Sequence, residues 1–129
     1  MKYEEFVKTT DISLKHNVKG HDLQFYLDGM SEEHGELFGV TKRIRRGDYG
    51  ENVKEFISNG GSLKIAILCY KDIFEDVLKE IGDHHWYETR FIQELGLNWD
   101  RVEDRNMNKL TERVNTDTIM GKGDNREHV

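Results

Sequence analysis

The chain has 129 residues, of which 34% are charged and 36% hydrophobic, and its formal net charge is −6 at pH 7. Its single cysteine, Cys69, leaves no intrachain disulfide to form, and no apolar run approaches the ~20 residues that span a bilayer. Because the acidic balance disfavours polyanions, we expect a cytoplasmic protein that binds neither nucleic acid nor membranes.

The apolar spacing in the first half of the chain predicts helices. A short helix from Tyr3 to about Thr10 is expected to turn Phe6 inward. A longer helix begins around Gly20, and its apolar residues recur in steps of three, four and seven. Basic residues followed by Gly47 mark its end. The apolar stripe of this helix consists of Leu23, Leu27, Met30, Leu37, Val40 and Ile44.

The middle of the chain combines glycines with a long apolar pattern. Segment 48–62 carries glycines and is expected to be mostly loop, with a helical turn or two over 51–57. Ser62 is a predicted N-cap. The helix that it opens could run from Leu63 to Leu95, with Gly96 as its stop.

The last predicted helix runs from Trp99 to about Val114 and is capped by Asn98. Residues 115–129 then form a polar, glycine-spaced tail. No segment alternates as a strand does. The sequence therefore predicts a single all-α domain over 1–129, a bundle of about four main helices.

Two pairs of acids lie beside the apolar stripes. Glu33 and Glu36 are three residues apart and share a helix face, and Glu80 and Asp83 repeat the spacing. Buried carboxylates without partners are costly, and several facing one another cannot all ionise. A hard divalent cation resolves this, because magnesium or manganese takes oxygen ligands. The four acids are therefore candidate metal ligands.

From the residues alone, one other interpretation of the acids stays open and a second is disfavoured. They could be surface acids that pair with bases such as Lys42 or Arg43. A di-iron bundle needs a Glu with a His three residues on, which neither pair supplies.

If the two long helices formed a simple hairpin, the two acidic pairs would lie at different levels along it. We therefore expect either that the loop between the helices rises along the helix axis or that 63–70 forms a separate or bent segment.

Four segments, in order, resemble the motifs of the MazG-like family of nucleotide pyrophosphohydrolases. They are Gly29–Leu37 (GMSEEHGEL), Glu80–Tyr87 (EIGDHHWY), Asn106–Arg113 (NMNKLTER) and Gly121–Arg126 (GKGDNR). The resemblance departs from the family pattern at His84 and His85, where aliphatic residues are usual. His84 could reach the outer shell of a metal, or both rings could be interior or interface residues.

The resemblance implies an all-α fold completed by a dimer or a pair of dimers. It implies hydrolysis of a nucleoside triphosphate, between its α and β phosphates, to a monophosphate and pyrophosphate. By the same resemblance Glu33, Glu36, Glu80 and Asp83 are magnesium ligands and catalytic residues, and one of them, or a carboxylate acting through bound water, generates the attacking hydroxide.

The resemblance also implies substrate-binding roles for polar residues near the end of the chain: Asn106, Lys109, Arg113 and Arg126. Asn106, Lys109 and Arg113 fall at steps of three and four and share a helix face. Without the resemblance, their spacing indicates only a solvent-exposed basic face of the helix.

Two alternatives to a nucleoside triphosphate pyrophosphohydrolase remain. One is a non-catalytic helical dimer that binds nucleotide or protein, and the other is a phosphoribosyl-ATP pyrophosphohydrolase relative.

Overall fold

The computed structural model describes residues 2–10 and 22–117, and within them it contains six helices and no strand. The helices are α1 (Tyr3–Thr9), α2 (Asp22–Arg46), α3 (Glu51–Ser58), α4 (Leu63–Cys69), α5 (Lys71–Glu94) and α6 (Trp99–Asn115). The all-α prediction is confirmed for this part of the chain. None of the described helices combines the length and the apolarity needed to cross a membrane.

The predicted helix caps and stops are found at their expected residues. The Ser62 hydroxyl accepts a hydrogen bond from the backbone N–H of Ile65 and opens α4. The Asn98 side chain accepts from the N–H of Arg101 at 2.9 Å and opens α6. Gly96 follows α5 with a φ of +72°, a left-handed conformation that favours glycine.

The two long helices, α2 and α5, pack antiparallel along most of their length. Near one end, Arg90 Nε donates a hydrogen bond to the Tyr26 hydroxyl at 3.2 Å. One turn along, the ring of Tyr87 lies against Gly29. Residue numbers thus rise on α2 as they fall on α5, and this register determines which side chains meet farther along the pair.

The apolar core lies at the far end of this pair, where α3 and α4 cover it. Its buried members are Val40, Ile44, Val53, Ala66 and Ile73. Partly buried side chains surround them: Tyr49, Phe56, Ile57, Ile67, Tyr70 and Val77. All helices from α2 to α5 contribute, so the two short helices anchor the end of α2 to the start of α5.

The prediction of one continuous helix over 63–95 is wrong. The backbone is extended at Tyr70, which separates α4 from α5, and the Tyr70 side chain packs against the core. The alternative of a separate segment over 63–70 is confirmed. Segment 48–62, expected to be mostly loop, holds the two-turn helix α3.

This break removes the misalignment of the acids. From Glu36 to the end of α2 is about ten residues, roughly 15 Å of helix. From the start of α5 to Glu80 is about nine residues, roughly 14 Å. The two acids therefore lie at the same level of the antiparallel pair.

The inward faces of α1 and of the first turns of α2 differ from the expected ones. Phe6 is 48% exposed, and its neighbour Val7 is the buried residue of α1. On α2, Leu23 and Leu27 are exposed, whereas Tyr26 is fully buried. The face toward α5 contains Tyr26 because its hydroxyl meets Arg90, and this displaces the aliphatic stripe outward.

We predict opposite effects on stability for two alanine substitutions within α2. A Cβ at Gly29 would lie 2.3 Å from two carbons of the Tyr87 ring, which also packs against Phe25 and Trp86. Gly29→Ala should therefore lower the free energy of unfolding by about 1–3 kcal/mol. Gly35 has open space around it, and Gly35→Ala should raise the free energy by up to about 1 kcal/mol. Urea titration measures both, and equal gains would contradict the packing described here.

Candidate functional site

Three carboxylates from the two long helices meet at the centre of the pair. Glu33 and Glu36 belong to α2 and Glu80 to α5, and each offers an oxygen within 4.8 Å of the others. Glu33 and Glu36 are one turn apart on α2, and the antiparallel register sets Glu80 against both. The expected meeting of acids from two helices is found for these residues.

Two oxygens of this cluster are buried without a partner. The Oε2 atoms of Glu33 and Glu80 have no hydrogen-bond donor within the described part of the chain. Glu80 is only 5% exposed. The ammonium of Lys79 is 4.0 Å from Glu80 Oε1, but its side chain is 67% exposed and gives little compensation. The cluster therefore has unmet capacity to bind a cation or a proton.

Burial and mutual repulsion raise the pKa values of two of these acids, Glu33 and Glu80. Burial is the largest cause that raises the pKa of Glu80, to about 8, and hydrogen bonds and charges of Glu33 and Glu36 add to it. The pKa of Glu33 is also raised, first by burial and then by the charges of Glu36 and Asp83, against a hydrogen bond with Glu80 that lowers it. Without a cation, Glu80 keeps its proton at neutral pH.

Asp83, the fourth predicted ligand, lies one turn after Glu80 beside the same cluster. Asp83 and Glu33 border a cleft of about 350 Å³, whose other described lining residues are Thr10, Trp86 and Tyr87. Asp83 does not belong to the three-carboxylate group itself. The charge of Asp83 nevertheless raises the pKa of Glu33, which Glu36 and Glu80 also shift. All four acids are therefore close enough to interact electrostatically at Glu33.

Aromatic side chains form the wall of this cleft. Trp86 Nε1 donates to the Thr10 hydroxyl at 2.7 Å and so ties the end of α1 to α5. The Trp86 ring contacts Tyr26 and Tyr87 edge-on. Burial and the charges of nearby acids, Glu33 first, raise the pKa of the Tyr87 phenol. The wall therefore keeps neutral hydroxyl groups beside the carboxylates.

The two histidines after Asp83 make contacts within the fold. His85 stacks between Tyr3 and Trp99, with ring centroids 4.9 and 5.1 Å away. His84 Nδ1 lies 3.4 Å from a Glu88 oxygen, and its ring meets that of His34. Both rings are therefore held by contacts with neighbouring side chains.

The residues expected to bind substrate lie on α6 or beyond it. Asn106 is exposed, Lys109 is half-buried and Arg113 is buried. The described lining residues of the cleft come from α2, from α5 and from the end of α1, and none comes from α6. Arg126 and the Gly121–Arg126 motif lie outside the described residues.

An arginine that the sequence suggested only as a surface partner of Glu36 has a different role. Within the described ranges no ion pair joins Glu36 to Lys42 or Arg43. Instead Arg43 Nε donates to the Tyr49 hydroxyl at 3.2 Å, and this hydroxyl donates to Asp76 Oδ2 at 2.6 Å. No spacing in the sequence indicates this arrangement, because Asp76 lies on another helix.

We predict that the metal-free protein loses stability as the pH rises from about 4.5 to about 8. Glu80 ionises near 4.5 in the unfolded chain but keeps its proton to about 8 in the folded one. Folding therefore takes up a proton between these values, and its stabilising effect, complete below 4.5, is lost by 8.

Thermal unfolding in the presence of a chelator, across this pH range, measures the slope. Glu80→Gln carries no charge at any pH and should flatten it. A wild-type protein whose melting temperature is level over the range would show that Glu80 ionises normally.

Comparison with known proteins finds one relative of similar length. The chain is 38% identical over 104 residues to the Gene 37 protein of Mycobacterium phage L5, a match that covers 81% of this chain and 76% of the phage protein. No model of a known protein family matches the chain, and no solved structure matches it. The chain belongs to the same family as the Gene 37 protein of Mycobacterium phage L5.

Proposed function

We propose that the chain is a magnesium-dependent pyrophosphohydrolase of nucleoside triphosphates with a MazG-like carboxylate centre. The observation that supports this most is the pair of buried oxygens, Oε2 of Glu33 on α2 and Oε2 of Glu80 on α5, that have no hydrogen-bond donor among the described residues. Such groups are destabilising unless something binds them. A divalent cation would compensate both at once.

The chemistry of the donors favours a hard cation. Glu33, Glu36 and Glu80 offer carboxylate oxygens only, with no imidazole or thiolate in the group. Magnesium and manganese prefer such ligands, and magnesium usually keeps several waters and binds through one or two carboxylates plus substrate phosphates. Glu33, Glu36 and Glu80 would hold the ion, and Asp83 would complete the site at the edge of the cleft.

The proposed reaction is the hydrolysis of the bond between the α and β phosphates. The oxygen of water bonds to the α phosphorus, the bridging oxygen leaves with pyrophosphate, and a carboxylate of the site accepts the proton of the water. When bound, magnesium lowers the pKa of water and offsets charge on the phosphates. The cleft of about 350 Å³ beside Glu33 falls within the size range of small-molecule sites.

The remaining site residues enter the proposal through the MazG resemblance. Asn106 and Lys109 would contact the nucleotide, with Arg113 and Arg126 beside them. A second copy, or other parts of the chain, would have to bring these residues to the cleft, whose described lining contains none of them. The proposal therefore includes a bundle of four main helices that is completed by self-association.

An exposed surface across α2 and α5 supports the self-association. The ring of His34 lies between those of Phe38 and His84, at 4.9 and 4.7 Å, and so joins the two helices. Phe38 is 68% exposed, and Leu78 and Ile81 on α5 are about half exposed. Apolar area of this kind is commonly covered by a partner.

We predict that the wild-type protein releases pyrophosphate from at least one nucleoside triphosphate when magnesium or manganese is present. Glu36→Gln should lower turnover about 100-fold or more, the effect of losing one charge-stabilising group in other enzymes. A panel of ribo- and deoxyribonucleoside triphosphates with detection of pyrophosphate measures this. Glu75→Gln, at an exposed position of α5, is the control. Turnover in a chelator, or full activity of Glu36→Gln, would refute the metal-dependent mechanism.

We predict a dimer or tetramer in solution, formed through the exposed surface of α2 and α5 that contains Phe38, Leu78 and Ile81. Light scattering should give a mass at least twice the 15.2 kDa of one chain. Phe38→Asp should lower this mass because it places a charge in the covered apolar surface. Phe6→Asp adds the same charge at another exposed phenylalanine and should leave the mass unchanged. A monomeric wild-type protein at micromolar concentration would refute the prediction.

A further inference from the structure

Arg43 is folded back along α2 toward the carboxylates. A Cβ added to Gly39 would lie 3.0 Å from Arg43 Nη1, so the guanidinium lies over the glycine one turn before it. Gly39 is itself one turn after Glu36. Because a larger side chain at Gly39 would crowd the guanidinium, the glycine leaves room for this conformation.

The guanidinium is anchored through one of its three nitrogens. Nε donates to the Tyr49 hydroxyl at 3.2 Å, and Tyr49 in turn is anchored by Asp76, one turn before Glu80 on α5. The two amino groups, Nη1 and Nη2, make no hydrogen bond to the described residues, and the Arg43 side chain is half-buried. Arg43 is therefore positioned, yet keeps the paired donors that bind phosphate oxygens.

The charge of Arg43 acts on the carboxylate site. The hydrogen bond with Tyr49 is the largest cause that raises the pKa of the Arg43 guanidinium, and the charges of Asp76 and Glu80 add to it. Glu33 and Gly39 are about six residues apart, or roughly 9 Å along the helix. The acids thus lie between a cleft on one side and this cation on the other.

We propose that Arg43 binds the departing pyrophosphate end of the substrate through Nη1 and Nη2, while the nucleoside occupies the cleft beside Tyr87. This inference rests on the proposed function and adds a direction to it, since the triphosphate would extend along α2 from the cleft beside Tyr87 to Arg43. Arginine suits the role because its planar fork makes two parallel hydrogen bonds to a phosphate. Tyr49 is a positioning residue that holds the fork toward the carboxylates.

Inorganic pyrophosphate with magnesium is the probe, because it requires neither a known base nor turnover. Calorimetric titration of Arg43→Ala should show pyrophosphate binding about ten- to a hundred-fold weaker than in the wild type, the range for one lost charged hydrogen bond. Magnesium alone should bind Arg43→Ala no more weakly than it binds the wild type, because the substitution removes a positive charge near the carboxylates. Arg43→Lys should recover only part of the loss because lysine lacks the fork. Arg45→Ala removes an exposed charge from the same turn of α2 and should bind like the wild type.

The outcomes separate this inference from a structural role and from the proposed reaction. If Arg43 only tied α2 to α5, Arg43→Lys and Tyr49→Phe would lower the melting temperature and leave pyrophosphate affinity unchanged, which would overturn the inference. Equal losses in Arg43→Ala and Arg45→Ala would overturn it too. A wild type that binds magnesium pyrophosphate through Arg43 but hydrolyses no triphosphate supports the subsite and refutes the reaction. Turnover with unchanged pyrophosphate affinity in Arg43→Ala does the reverse.

Discussion

The antiparallel register of α2 and α5 is the constraint on which the rest of the structure depends. The hydrogen bond between Arg90 and Tyr26 fixes one end of the pair, and the apolar core around Ile73 fixes the other. Between them, Glu80 can only lie opposite the acids of α2. A slip of one turn, about 5.4 Å, would separate the acids. The core and the buried arginine thus hold together groups that repel one another.

This arrangement lowers local stability at the place where it brings the acids together. Two carboxylate oxygens are buried without donors, and the folded chain compensates in part by keeping Glu80 protonated. A cation would release that proton and give both oxygens a partner. Strain and unmet polar groups of this kind concentrate at functional sites, where the surrounding fold outweighs them. The unmet oxygens are therefore a stronger indication of function than the net charge of the chain.

The sequence predicted the helical class, the caps and the meeting of acids from two helices, because each depends on short-range spacing. Glu33 and Glu36 share a face wherever the helix packs, and Ser62 caps whichever helix follows it. No glycine or proline marks the break at Tyr70, and only the misalignment of the acids in a simple hairpin indicated that 63–70 could be a separate segment. The position of the break depends on packing against a core assembled from other helices, which local spacing does not encode. Arg43 and Asp76 lie 33 positions apart in the sequence and meet only through Tyr49. No local pattern encodes such a contact.

The glycines of α2 show how a locally unfavourable choice serves the site. Glycine within a helix is less favourable than alanine by up to about 1 kcal/mol, yet Gly29 and Gly39 lie on either side of the acids. The first leaves room for the Tyr87 ring and the second for the Arg43 guanidinium. Both large groups can therefore approach the backbone of α2 and flank the carboxylates, one neutral and one cationic. This polarity suits the proposed substrate, which has an uncharged nucleoside at one end and phosphates at the other.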